Sequence, residues 1–244
     1  MSPEIISKIE KLKAELDSFR PFDQSQLKNL REWFRIGFIQ NSNAIEGNSS
    51  TLSEVKVLLE DGITIGGKTV REIRETLNYG DVMLGLDNLF SDQKFKITES
   101  FVLKLHRDLM RGLLEKVECG TWRKINIYVT GSEEEFPLPS QVPYLMQEYF
   151  SSEFVLPKTI QDVAKIHFDF VKIHPFVDGN GRIARLLMNI GLIGIGYFPI
   201  VIPVAVRNEY ISSLKDKHFE SWFDFFVQQV YENHKDYVRF FSNN

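Results

Sequence analysis

"IHPFVDGNGRIARLLMN", Ile173 to Asn189, changes character at its middle. A His, a Pro, a Phe and an Asp lead into Gly-Asn-Gly, and an apolar run carrying two arginines follows. Upstream, "IQDVAKIHFDFVKIH" (160–174) sets Val163, Ile166, Phe170 and Ile173 on one stripe at helical spacing. Pro175 disfavours helical geometry at His174, so this helix ends there and leaves His174 at its terminus. Downstream, Ile183, Leu186, Leu187, Ile190 and Ile193 form a second stripe, the buried face of another helix. Arg182, Arg185 and Asn189 fall at i, i+3 and i+7 on a different face. Two arginines side by side on a core helix need anions to compensate them.

The turn between the two helices suits such an anion. Glycines at 179 and 181 let backbone N–H groups turn inward, and the helix that follows contributes its positive end. Arginine forks match phosphate oxygens. Asp178 beside this hole would repel phosphate unless a hard cation lay between them, and Mg²⁺ held by one carboxylate and phosphate oxygens resolves the conflict. His174 is then the base that accepts a proton from an attacking hydroxyl, since its ordinary pKa lies near neutrality. Each feature alone also has a structural reading: His-Pro as a helix end, Gly-Asn-Gly as a connection, Phe176 as a core anchor. Their coincidence in one loop points to phosphoryl or nucleotidyl transfer.

The rest of the chain reads as helix almost throughout. Ser2-Pro3 opens a helix to about Phe19. "PFD" interrupts, and "QSQLKNLREWFRIGFIQNSNAIEG" (24–47) resumes until Gly47. Thr51-Leu-Ser-Glu54 is a capping box. Further helices are predicted over 69–90, over 99–116 behind Thr98, and from Ser140, Thr159, Arg207 and Glu220 onward. The exception is "WRKINIYVTGSEEEFPLP" (122–139), where Ile125, Ile127 and Val129 alternate with polar residues before a Thr130-Gly131 turn, the pattern of a β-hairpin. The expected fold is all-α with one projecting hairpin.

Bulk properties agree. The chain has 244 residues, 43% hydrophobic and 13% aromatic with 20 Phe, enough for a sizeable core. Its net charge of −4 gives no basic field to recruit nucleic acid or an anionic membrane. One cysteine, Cys119, cannot form an internal disulfide. The N-terminal 19 residues mix charged and apolar side chains and lack the unbroken apolar stretch of a signal peptide or membrane span. A soluble cytoplasmic protein is expected.

"GITIGGKT" (62–69) formally matches the phosphate-loop pattern G-x-x-x-x-G-K-[ST]. That loop works between a buried strand and a helix of a parallel sheet. The preceding "SEVKVLLED" (53–61) is an amphipathic helix, and the chain lacks the strands of such a sheet. The stretch reads as a turn, with Thr69 capping the next helix.

"HPFVDGNGRIAR" (174–185) resembles the Fic family signature H-P-F-x-[DE]-G-N-G-R-x-x-R without departure. "LHRDLM" (105–110), "GTWRKINIYV" and "PLPSQVPYLM" around the hairpin, and "LLMNIGLIGIGYFPIVI" (186–202) extend the likeness over roughly Ser42 to Phe240. The resemblance implies AMP transfer from ATP to a Ser, Thr or Tyr hydroxyl of a target protein. It makes His174 the base and Asp178 the Mg²⁺ ligand. Gly179, Asn180 and Gly181 would cradle phosphates, Arg182 and Arg185 would bind the β- and γ-phosphates, and Phe176 would anchor the loop. Leu214 and His218 would lie near adenine. The hairpin (about 122–138) becomes a flap whose Ile127, Tyr128, Val129 and Thr130 pair with the target by strand addition.

"SNAIEGN" (42–48) gains meaning from the same likeness. Glu46 sits in a last helical turn stopped by Gly47, where an acid has the wrong sign for the helix dipole. Without the loop at 174–185 it reads as an ordinary surface acid. With it, Ser42, Glu46 and Gly47 resemble the family's inhibitory pattern [ST]-x-x-x-E-[GN], which implies that Glu46 pairs with Arg185 and keeps the γ-phosphate out of place. The expected organisation is a helical extension (1–40) and a Fic domain (41–244) containing the inhibitory helix (about 41–48) and the catalytic loop (174–185). Two alternatives stay open: an enzyme that also removes AMP through Glu46, and a non-catalytic protein-binding module. The target and self-association are also open.

Overall fold

The structure, a computed structural model, describes residues 2–64, 66–87, 96–128, 136–215 and 218–243. Ten α-helices follow in order among them: α1 Ser2–Ser18, α2 Gln24–Ile45, α3 Leu52–Glu60, α4 Val70–Asp87, α5 Glu99–Leu109, α6 Val142–Ser151, α7 Ile160–Ile173, α8 Asn180–Gly194, α9 Arg207–Lys215 and α10 Phe219–Ser242. Caps expected from the sequence form as such. Thr51 accepts from the Glu54 amide while Glu54 accepts from the Thr51 amide, and Thr159 and Asp162 do the same for α7.

The central element is α8. A helix facing solvent on one side carries a polar face, whereas α8 is buried from Arg182 through Leu192. Ile183, Leu186, Leu187 and Ile190 join a cluster with Phe170, Phe176 and Leu105. Met188 and Leu192 face the other way, toward Val163, Trp222 and Phe226. Thus α8 divides two hydrophobic clusters, and whatever its N-terminus carries is held rigidly. Asn189 ends this arrangement: its side chain donates to Ile200 O at 2.9 Å and accepts from Ile200 N at 2.7 Å, stapling the following segment to the helix. A third cluster gathers Leu16, Leu30, Tyr237 and Phe241 with Phe19, Phe22 and Phe198.

Two expectations change. The helix behind Thr98 stops at Leu109 instead of running to 116. Asn78 of α4 donates to Leu109 O and Arg111 O, both at 2.9 Å, and Arg74 donates to Gly112 O at 2.6 Å. These donors satisfy the carbonyls that a helix end leaves open, so tertiary contact terminates the element where propensity would continue it. The β-hairpin is not formed among the described residues, none of which is in a strand. Residues 123–128 and 136–138 run irregularly, held by Arg123, whose guanidinium donates to the carbonyls of Ile125, Pro137 and His174. Val129, Thr130 and the turn through 135 lie outside the described residues.

The 62–69 stretch has α3 before it, not a strand. Lys68 reaches Glu54 at 3.1 Å and Ser49 O at 2.8 Å, and Thr69 accepts from the Glu72 amide at 3.1 Å. The lysine therefore fastens the loop after α2 to α3. Lys68→Ala is expected to leave ATP affinity within about twofold by calorimetry, since a surface contact of this kind contributes under about 1 kcal/mol. Abolished binding by a variant with an intact circular dichroism spectrum would make the stretch a phosphate loop after all.

No helix among the described residues is long and apolar enough to cross a membrane.

Candidate active site

His174 ends α7 in the left-handed region, φ 50° and ψ 61°, the one non-glycine residue with positive φ among those described. Pro175 prevents the helix from continuing, and Arg123 fixes the turn by donating from its backbone to Pro175 O and from Nε to His174 O, both at 2.8 Å. His174 Nδ1 lies 3.2 Å from Val171 O. A carbonyl only accepts, so Nδ1 carries the hydrogen and Nε2 carries the lone pair. The ring packs on Phe136 at 4.3 Å between centroids.

Phe176 is fully buried and lies flat against His106, centroids 3.6 Å apart and planes 2° from parallel. Burying such a ring contributes about 1.5–3 kcal/mol and pins the loop. His106 accepts from Gly120 N at its Nδ1 (2.8 Å), so its Nε2 donates to Asp178 O (3.1 Å). Burial lowers its pKa to about 4, which keeps this ring neutral and fixes the tautomer. Asn180 closes the turn from the other side, accepting from Phe176 N and donating to Phe176 O, both at 2.9 Å. Its amide group is thereby used by the loop, leaving its backbone N–H at the start of α8. Gly179 caps α8 with φ 80°, and a Cβ there would meet Met110 Sδ at 2.9 Å, so glycine is required twice over.

The two arginines have different surroundings. Arg182 donates to Asp178 at 3.2 Å and lies 3.5 Å from Glu75, while Arg71 of α4 holds the other Asp178 oxygen at 2.8 Å. Arg182 is buried behind Asp178, whereas Arg185 lines the cavity. Arg185 donates to Glu46 (2.7 Å), Ser42 Oγ (2.8 Å), Ser42 O (2.9 Å) and the Tyr210 hydroxyl (3.2 Å). Burial alone would lower its pKa, but Tyr210, Glu46 and Tyr79 outweigh that and raise it above the ordinary arginine value. Tyr79, itself pushed up to about 12 by burial, bonds Ser42 Oγ at 2.9 Å and donates to Arg182 O at 3.2 Å.

Glu46 is the C-cap of α2, followed by Gly47 at φ 99°. Its carboxylate reaches over the start of α8: a Cβ built on Gly181 would stand 2.5 Å from Glu46 Oε1 and 3.0 Å from Arg185 Nη1. A carboxylate thus lies at the positive end of α8, against the amides and the guanidinium fork that form the anion hole.

These groups converge on a cavity of about 270 Å³, lined by Glu46, Phe136, His174, Asp178, Gly181 and Arg185, with Tyr210, Ile211 and Leu214 of α9 along one side. Of the residues expected near adenine, Leu214 lines it and His218 does not. A larger cavity of about 750 Å³ between α2, α3 and α10 holds no such convergence. Ile127 and Tyr128 are described without strand pairing, Tyr128 being 90% exposed. Sequence reasoning missed Tyr210, Tyr79, Glu75, Arg71, His106 and Arg123, which come from other helices and loops. A signal existed only for His106, inside the quoted "LHRDLM", and for Arg123, inside the quoted "GTWRKINIYV".

Residues 96–192 match the model of the Fic/DOC family. That segment belongs to the family. It is 34% identical over 216 residues to the protein adenylyltransferase Fic of Drosophila erecta, an overlap of 85% of this chain and 42% of that protein. With its Drosophila yakuba counterpart it shares 38% over 183 residues, 72% of this chain and 36% of that one. It therefore spans about two-fifths of the curated relatives it matches. Its fold is that of a Fic domain containing signaling protein from Bacteroides thetaiotaomicron (TM-score 0.87, 24% identity, 97% of both chains). Fic-1 from C. elegans is similar too, with a TM-score of 0.83, 24% identity, and 97% and 71% of the two chains covered.

Proposed function

We propose that this Fic domain transfers AMP from ATP to a hydroxyl of a target protein and that Glu46 restrains the reaction. The observation that carries the proposal is the occupied anion hole: Glu46 and Arg185 pair at 2.7 Å above Gly181, beside a histidine whose Nε2 holds a lone pair.

The triphosphate would enter with its oxygens at the Gly179–Gly181 amides and at Arg185. Asp178 suits a divalent cation. It is part exposed at the cavity, and among the described residues no three His, Cys, Asp or Glu converge to complete a cage, so phosphate oxygens and water would fill the shell. Mg²⁺ bound there would offset phosphate charge and steady the leaving pyrophosphate. Arg182 and Arg71 hold the Asp178 carboxylate in place, and Arg71 would yield one oxygen to the cation. His174 takes the proton from the target's hydroxyl as that oxygen attacks the α-phosphorus. The bond from the α-phosphorus to the bridging oxygen breaks, and pyrophosphate leaves. The segment 124–128, with Ile127 and Tyr128, would lie beside the target chain. Glu46 and His174 line one cavity, which also supports a second reading in which Glu46 orients water to remove AMP.

The test uses ATP labelled at either the α- or the γ-phosphate, incubated with the Glu46→Gly variant, Mg²⁺ and cell lysate. Protein-bound label above that of lysate alone is expected from α-labelled ATP and not from γ-labelled ATP. Label from the γ-position instead would make the enzyme a kinase, and no label from either would remove the transferase reading.

A further inference from the structure

A third cavity, about 330 Å³, lies along the N-terminal half of α2, with no residue of the catalytic loop in its lining. Leu27, Leu30, Arg31, Phe34 and Arg35 make one wall, at i, i+3, i+4, i+7 and i+8 of α2. Met83 of α4, Ile193 of α8, Phe198 and Tyr237 of α10 line it too, with Phe22 and Arg20. Phe22 is fixed by stacking on Phe241 at 4.6 Å and by an edge contact with Phe198 at 5.7 Å.

The charges here are out of balance with the rest of the molecule. Acids outnumber Lys and Arg, 33 to 29, and most surface arginines with a partner meet a carboxylate. Arg20 does so, bonding Asp17 at 2.9 Å while lying over the Phe22 ring. Arg31 and Arg35 do not: among the described residues neither has an ion-pair or hydrogen-bond partner. Like charges one helical turn apart repel. These two stand together at the edge of a concave aromatic and aliphatic floor, where water would be poorly bound and a charge needs a counterion. An anion between them relieves the repulsion and engages two guanidinium forks at once. The floor beneath requires that the anion carry an apolar body, the pairing typical of small-molecule sites.

We propose that this cavity binds a small amphipathic anion, a carboxylate or phosphate head on an alkyl or aryl body. Its volume has room for roughly ten non-hydrogen atoms at liquid-like density. The head sits between Arg31 and Arg35, and the body lies on Phe34, Phe198 and Tyr237. This site is separate from the catalytic cavity, sharing no lining residue with it, and it does not depend on the activity proposed above.

Octanoate and phenyl phosphate, each about the right size, serve as probes, with octanol as the neutral control. Their binding is followed by amide NMR shifts at Gly196 and Phe198, for the wild type and for Arg31→Gln with Arg35→Gln. Both arginines are at the surface, so the double variant is expected to keep the wild-type circular dichroism spectrum. At least one anionic probe is expected to bind at millimolar concentration or below, tenfold or more tightly than octanol, and tenfold or more weakly to the double variant. Octanoate alone binding identifies a carboxylate site, and phenyl phosphate alone a phosphate site. Anions that bind equally well to the double variant would overturn the proposal, and shifts confined to residues 178–185 would do so by placing the binding in the catalytic cavity. So would the failure of both probes to bind.

Discussion

His174→Ala is expected to lose AMP transfer by roughly 10²-fold or more while ATP still binds. The two effects separate because different groups produce them. On the proposed reading the nucleotide would be held by the amides at the start of α8 and by Arg185, none of which depends on the imidazole. Proton acceptance depends on Nε2 alone, whose lone pair follows from the Nδ1 contact to Val171 O. Backbone geometry complicates the substitution, since position 174 has φ 50° and alanine is strained there. His174→Asn removes the base yet tolerates the left-handed conformation, so both variants should show the same loss. Transfer of α-label and calorimetry with ATP and Mg²⁺ measure the two quantities. Near-normal labelling by His174→Asn would sink the assignment of the base.

Glu46→Gly is expected to raise AMP transfer about tenfold. The reasoning is competition for one guanidinium. Arg185 is 2% exposed at its side chain and cannot swing away to serve two anions, and Glu46 holds it at 2.7 Å. A hydrogen bond between charged groups is worth about 1.5–3 kcal/mol, but the Glu46 side chain is 39% exposed, so solvent screening brings the value toward the lower end. About 1.4 kcal/mol is a factor of ten. Removing the carboxylate also relieves an acid at the negative end of α2, so the variant should fold as well as the parent. Ser42 and Tyr210 remain to hold Arg185 in position for a phosphate oxygen.

Much of this site could be read from the chain because its parts are neighbours in sequence. Pro175 after His174, the glycines around Asn180, and arginines three apart on an apolar helix each constrain geometry locally. Glu46 was legible by a different route: the dipole rule alone left it an ordinary surface acid, and only the likeness of Ser42, Glu46 and Gly47 to the family's inhibitory pattern singled it out. What stayed hidden depends on packing between distant segments. Tyr210 and Tyr79 reach the Arg182–Arg185 turn from α9 and α4 with their hydroxyls, and nothing in "RNEYISSLK" or "RETLNYG" signals that contact. Arg182 reads as equivalent to Arg185 by spacing, since residues three apart lie only about 60° apart around a helix; acids from α4 and from the loop before α8, Glu75 and Asp178, give it different partners. Asn180 read as a phosphate donor, whereas Phe176's backbone uses its side chain. The hairpin rested on alternation at 125–129, which describes a strand's two faces but supplies no partner strand. The described part of that segment is held by one arginine's donors instead.

The most direct test measures α-labelled AMP incorporation side by side for the wild type, Glu46→Gly, Arg185→Ala and the double variant, each checked for fold by circular dichroism. If one guanidinium is contested by Glu46 and the triphosphate, Glu46→Gly exceeds the wild type about tenfold, and Arg185→Ala does not. The double variant then falls below Glu46→Gly, since the freed anion hole has lost its fork. An unchanged rate for Glu46→Gly, or a double variant as active as Glu46→Gly, would contradict the account and leave Glu46 an ordinary surface acid.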